Sequence, residues 1–330
     1  MKYLVTLIFL MMLAGCSSYP SGTLVFVTNE RSGTVSVIDA ATLKVIDSIK
    51  TGARPRGIRI SADGKYAFVA LSTPLNGKPL PEDNRIAVID TTNGKILRKI
   101  EVGTDPEQLA VDSESSRIYV SNEDAGTATI TDLESGTPLA TLTTGIEPEG
   151  VAISPDDRWV YVMAETSSTV TVIDTDKMAV VKTFLVGARP RDAAFSPDGL
   201  TAYVSSELGQ ELSVVDVATH SVTATVSLGY DETVKPVGVI VSPDGGRVYV
   251  ANGRGNSVSV VDTLSNKVIN IIPVGSRVWG LGLDPSGSTL FAANGLSNNI
   301  HVIDTRAFEV KAVVDAGQGP WGIAVRPPID

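Results

Sequence analysis

The residues best suited to chemistry in this 330-residue chain are charged and aromatic side chains that recur beside a repeated proline. Gly52-Ala53-Arg54-Pro55-Arg56-Gly57 is one example. In chain order the flanking positions hold Arg54 and Arg56, Asp105 and Glu107, Glu147 and Glu149, then Arg189 and Arg191. Lys235, Arg277 with Trp279, and Trp321 follow. Arginine and lysine can grip carboxylates or phosphates through charge-assisted hydrogen bonds, and tryptophan can stack on a flat ring or a cation. Two neighbouring units are acidic, and the arc from Arg189 round to Arg56 is basic and aromatic. This segregation points to a polarised funnel for an anionic planar ligand. Its candidate residues are Arg54, Arg56, Glu107, Glu149, Arg189, Arg191, Lys235, Arg277, Trp279 and Trp321. A second set, Glu30, Glu123, Glu165 and Glu207, supports the competing reading, a net of Glu–Arg pairs between units, individually weak at a rim.

Other chemistries find less support. The two histidines, His220 and His301, have no placed nucleophile beside them and cannot form a histidine-rich metal site. The glycines follow the repeat rather than a phosphate-binding loop. Glu123, Glu149 and Glu165 could hold a hard cation such as Ca²⁺, although carboxylates solvated or paired with arginine are the simpler expectation; a metal trapped among Glu107, Glu123, Glu149 and Glu165 would favour a hydrolase. No residue is assigned a catalytic or metal-ligating role, and Trp159 is read as packing. The net charge of −10, with no basic run, argues against nucleic acid as a general partner.

The elements that must position these residues are set by a repeat. Seven aspartates are each followed 13 residues later by a glycine: Asp39/Gly52, Asp90/Gly103, Asp132/Gly145, Asp174/Gly187, Asp216/Gly229, Asp262/Gly275 and Asp304/Gly317. Successive units lie 51, 42, 42, 42, 46 and 42 residues apart, the signature of a repeat architecture. In the unit from Gly145 to Gly187, four β-type runs fall at Gly150–Ser154, Trp159–Ala164, Thr169–Asp174 and Ala179–Val186. Turns such as Ser196-Pro197-Asp198-Gly199 separate the first two runs. Four strands per unit and seven units predict an all-β, seven-bladed propeller of four-stranded antiparallel blades. The repeated aspartates are read as turn formers, because a ligand is needed once and a turn seven times. The chain begins with a second strand at Leu24–Thr28 and ends with an innermost strand at Trp321–Val325. The C-terminal strand is therefore expected to complete the N-terminal blade and close the ring. Both length departures, nine residues within Ser72–Asn84 and four around Tyr230–Val234, fall in loops of the face that carries the charged pairs. Variable loops on a rigid scaffold are where binding usually resides.

The N-terminus reads MKYLVTLIFLMMLAGC: a lysine, an apolar run too short to span a bilayer comfortably, then small residues before Cys16, the only cysteine. Residues 1–15 are read as a signal peptide, and Leu13-Ala14-Gly15-Cys16 resembles the bacterial lipoprotein box. That resemblance implies lipid attachment at Cys16, a lipidated tether over residues 16–22 and a propeller over residues 23–330. It further implies an exported lipoprotein, expected in the outer membrane and facing the periplasm.

The strand endings Tyr119-Val120-Ser121-Asn122, Tyr249-Val250-Ala251-Asn252 and Phe26-Val27-Thr28-Asn29 resemble the YVTN repeat of seven-bladed propellers. A narrower resemblance, carried by Arg54-Pro55-Arg56-Gly57, Glu147-Pro148-Glu149-Gly150, Val278-Trp279 and Pro320-Trp321-Gly322, is to propellers associated with catabolism by pyrroloquinoline-quinone (PQQ) dehydrogenases. It implies a periplasmic context and makes PQQ a candidate ligand, with no cofactor required. The dehydrogenases' tryptophan-docking repeats and vicinal cysteines are missing, so their catalysis is not carried over. The expectation is a non-catalytic binding or scaffolding propeller whose partner is a periplasmic protein or a small anion. A lactonase-type hydrolase using a metal at the channel mouth, and a surface adhesion module, are the alternatives.

Overall fold

The computed structural model describes residues 18–74, 82–229 and 231–329. The expected signal peptide and Cys16 lie outside the described residues. Within them, twenty-eight strands form seven four-stranded antiparallel sheets arranged as the blades of a propeller. The innermost strands, numbered in chain order among all strands, are β4 (Arg54–Ile60), β8 (Pro106–Val111), β12 (Pro148–Ile153), β16 (Pro190–Phe195), β20 (Val239–Val241), β24 (Val278–Leu283) and β28 (Pro320–Arg326). They open blades 2, 3, 4, 5, 6 and 7 in turn, and β28 belongs to blade 1. That blade runs β28, β1 (Leu24–Asn29), β2 (Thr34–Asp39) and β3 (Lys44–Lys50), so the last strand closes the ring as expected.

Position within the blade decides each strand's pattern. A second or third strand is covered on both faces by neighbouring blades, so Leu24–Asn29 is buried throughout. An outermost strand alternates, as in Lys267–Pro273, because one face meets solvent. Between blades 4 and 5, Tyr161, Val170 and Val172 pack against Ala202, Val204 and Val215. Each of the valines contributes about 1.5–3 kcal/mol when fully buried.

The seven repeated aspartates act as turn residues. Asp39 accepts hydrogen bonds from the N–H groups of Ala41 and Thr42 at 2.9 and 2.8 Å. Asp304 does the same with Arg306 and Ala307 at 2.8 and 2.9 Å. Four residues after each aspartate the backbone turns left-handed, at Leu43, Gly94, Gly136, Met178, His220, Asn266 and Phe308. The asparagines that end several second strands tie the other face. The Asn122 carboxamide donates to Thr129 Oγ1 at 2.7 Å and accepts from Gly103 N at 3.0 Å, fastening the strand to the loop beside it.

Antiparallel order places the loops entering innermost strands on one face, here the upper face, and the aspartate turns on the lower face. Residues 18–22, expected to be a tether, lie on the lower face. Tyr19 hydrogen-bonds the Asp47 carboxylate, and its N–H donates to Thr92 O at 2.6 Å. The fully buried Arg326 donates to Pro20 O at 2.6 Å and to Thr91 O at 3.3 Å, pinning the N-terminal segment and blade 2 to the closing strand.

Candidate functional site

The Gly-x-x-Pro-x-Gly loops deliver their charged and aromatic residues to the upper mouth of the central channel. The structure brings most of the sequence-selected residues together there. Glutamates that end neighbouring second strands stand between the arginines, so the basic arc seen in chain order is interleaved with acid in space. Arg54 pairs with Glu30 at 3.0 Å and approaches Glu107 at 3.9 Å. Arg56 pairs with Glu107 and, across blade 3, with Glu149 at 3.0 Å. Arg191 is clamped by Glu149 and Glu165, with Glu207 at 3.4 Å. Arg189 reaches Glu165 at 2.6 Å and Glu207 at 3.3 Å.

Arg54, Arg56, Arg191, Glu107 and Glu149 are all buried. Burial at this density makes the carboxylates compete for positive charge. Burial raises Glu107 well above the usual carboxylate range; Arg56 opposes this and the Glu149 charge adds to it. Glu165 is pushed up to about 9 by burial, then by its hydrogen bond and charge interaction with Glu149. Glu149 moves the other way: Arg191, the shared hydrogen bond from Glu165 and Arg56 outweigh its burial and hold it low. Glu149 and Glu165 thus share a proton and titrate as a pair. The cluster is a stiff plug of alternating charge, in which a lost partner leaves a buried ion uncompensated.

The aromatic side of the mouth differs. Trp279 and Trp321 lie 6.3 Å apart between ring centres. Arg56 stacks over Trp321 at 4.3 Å and Arg277 over Trp279 at 4.1 Å. Arg277 has its nearest carboxylate, Glu207, at 3.9 Å, and its buried Nη1 has no hydrogen-bond partner. Lys235 makes no ion pair among the described residues. Among the described residues, Lys235 and Arg277, in the loops entering blades 6 and 7, therefore keep donor capacity that no carboxylate saturates. Trp321 itself is buried, whereas Trp279 is half-buried.

On the acidic side, oxygen atoms of Asp105, Glu107 and Glu123 lie within 4.8 Å of one another. Asp105 has structural work there: its Oδ1 accepts from Thr73 N at 2.7 Å, anchoring one end of the insertion at Ser72–Asn84. Trp159 stands apart on the lower face. It packs edge-on against His220 at 4.7 Å, and the Tyr161 hydroxyl hydrogen-bonds His220 Nδ1 at 2.7 Å, so both are packing groups.

Two channel residues escaped the sequence reading, Arg59 and Asp192. Superposing the innermost strands by their shared pattern would have found them. Gly57, Gly150, Gly238, Gly280 and Gly322 occupy the position after the second flanking residue, and Asp192 and Gln108 replace glycine there. Two residues on, Ala110, Ala152, Ala194, Ile240, Gly282 and Ala324 are small or apolar, and Arg59 alone is polar.

Comparison with known proteins agrees with this architecture. The family model described as "Choice-of-anchor I domain" matches residues 22–189, just over half of the chain. The chain belongs to the choice-of-anchor I domain family. A second family model, "Lactonase, 7-bladed beta-propeller", matches residues 178–311 of this choice-of-anchor I protein. No functionally curated protein matches it. Among solved structures, hydrazine synthase from Kuenenia stuttgartiensis is similar, with a TM-score of 0.77 and 21% identity over 92% of this chain and 99% of that one. A functionally unknown protein from Desulfotomaculum acetoxidans aligns with a TM-score of 0.77 and 18% identity, again covering 92% and 99%. At these identities the similarity shows the shared propeller fold.

Proposed function

We propose that this choice-of-anchor I protein is a non-catalytic binding propeller whose upper channel mouth receives a small planar anion. The observation that carries the reading is Arg277. Its guanidinium sits 4.1 Å from the Trp279 ring centre with an unpartnered buried Nη1, and Lys235, in the loop entering the neighbouring blade, makes no ion pair among the described residues. A carboxylate on a flat ligand would satisfy both cations while its ring met Trp279. Arg54, Arg56, Arg189 and Arg191 would shape and stiffen the seat, since glutamates already engage them. PQQ, which combines carboxylates with a fused ring system, is the candidate ligand suggested by the sequence resemblance.

Hydrolysis of lactonase type is the weaker reading. The chain's carboxylate cluster, Asp105, Glu107 and Glu123, lies outside the segment that resembles the lactonase propellers. Arg54 and Arg56 already compensate Glu107, which disfavours a dication beside it.

The same proposal places the protein on a membrane through a lipid at Cys16, as an exported lipoprotein facing the periplasm; the family is itself named for an anchor. Because residues 18–22 lie on the lower face, an anchor at Cys16 would turn that face to the bilayer and leave the charged mouth open to partners. The binding test is titration of PQQ and simpler aromatic polycarboxylates into the wild type and a Lys235→Ala/Arg277→Ala variant.

A further inference from the structure

Below the charged plug, the channel widens into a chamber of about 410 Å³. A waist of only about 30 Å³, lined by Gln108, Glu149, Arg191, Trp279 and Trp321 among others, lies between it and the upper mouth. The chamber's walls include Ile60, Val111, Ile153, Phe195 and Leu283, the last residues of β4, β8, β12, β16 and β24. Its mouth is therefore on the lower face, opposite the site proposed above and independent of it.

The innermost strands crowd at the waist. A Cβ at Gly150, Gly238 or Gly280 would come within 2.4–2.5 Å of the next strand's carbonyl oxygen, so glycine is the expected residue at that level. Asp192 breaks this rule, as does Gln108, and sends a carboxylate into a chamber whose other polar side chains are Arg59 and Gln108. Its Oδ1 accepts from Ala193 N at 2.9 Å and its Oδ2 from Val239 N at 3.3 Å. Arg59, on the opposite side of the ring and two residue levels nearer the lower mouth, is the chamber's other charge. Its Nη1 donates to Ile58 O at 2.9 Å. No carboxylate pairs with it among the described residues. No ion pair joins the two among the described residues, yet each charge acts on the other, leaving a gap that one small molecule can bridge.

We propose that this chamber is a second binding site, for a small carboxylic acid with an apolar tail and a hydroxyl or ammonium group beside the acid. The acid pairs with the free donors of Arg59, the neighbouring group donates to Asp192, and the tail lies against Ile60, Val111 and Leu283. Burial raises Asp192 to about 6, although the Arg59 charge and the two backbone N–H groups oppose it. An ammonium would therefore be held through its charge at neutral pH. A hydroxyl could donate to the same carboxylate.

The test uses the full chain in mild detergent, titrated calorimetrically with 2-hydroxyhexanoate, norleucine, hexanoate and hexylamine. The first two are expected to bind, and hexanoate and hexylamine, which each keep one of the two polar contacts, to bind more weakly. Arg59→Met is expected to weaken both strong ligands at least tenfold, and Asp192→Asn to weaken norleucine more than 2-hydroxyhexanoate. Should Arg59→Met melt early, Arg59→Lys keeps the charge while losing the planar fork, and is expected to weaken both ligands several-fold. Absence of heat with all four compounds overturns the proposal. Wild-type affinity in a folded Arg59→Met or Arg59→Lys variant overturns it as well, as does binding of hexylamine alone.

Discussion

At the scale of single residues, the mouth contains two kinds of cation with different jobs. Arg191 is buried and held by three glutamates, so removing it leaves Glu149 with Arg56 alone and Glu165 with Arg189 alone, in a buried cluster one cation short. Breaking a buried ion pair in this way costs about 3–5 kcal/mol. Arg191→Ala is expected to melt several degrees below wild type, whereas Lys235→Ala should melt with wild type; equal melting of the two variants would show that the plug carries no stability. Protonation adds a second expectation. Glu165 titrates near 9 and Asp192 near 6 in the folded protein, against ordinary values of 4.5 and 3.8. Across those intervals the folded state binds more protons than the unfolded chain, so stability falls as pH rises through them. Thermal melts should therefore give a lower midpoint at pH 9 than at pH 5.5. Glu165→Gln should flatten that slope, and a slope unchanged in this variant would contradict the proton shared with Glu149.

At the scale of elements, the strand pattern was almost wholly legible, because each local device recurs seven times. Asp39 and its six equivalents mark one turn, and the left-handed residue four places on marks where the outermost strand begins. The closing strand was legible from the missing first strand at the N-terminus. What the sequence could not reveal was pairing between side chains far apart in the chain. Arg56 and Glu149 lie 93 residues apart and meet over blade 3 at the channel mouth. Chain order showed acids and bases segregated, whereas Glu30, Glu165 and Glu207 interleave them in space. Arg59 and Asp192 were visible as breaks in the innermost-strand pattern, but the repeat was read through its turns and loops. Closure gives the sharpest prediction here. Deleting Trp321–Asp330 removes β28 and Arg326, exposing the inner edge of blade 1. The truncated chain is expected to aggregate or to lose its cooperative melt, and a full-length-like melting curve would refute the shared blade.

At the scale of the whole molecule, a rigid ring carries a charged, aromatic mouth on one face and its N-terminal segment on the other. That polarity suits a protein held to a membrane while its mouth samples the surrounding space. If Cys16 carries lipid, Cys16→Ser should leave the chain soluble or unprocessed, and membrane fractionation of a processed Cys16→Ser protein would contradict the anchor. The central claim is that Arg277 and Lys235 receive an anion over Trp279, and calorimetric titration of PQQ and simpler aromatic polycarboxylates tests it most directly. Each well-formed charge-assisted hydrogen bond contributes about 1.5–3 kcal/mol. Saturable heat is expected with wild type and at least tenfold weaker binding with the folded Lys235→Ala/Arg277→Ala variant. No heat from any such ligand, or equal affinity in the two proteins, would contradict the account.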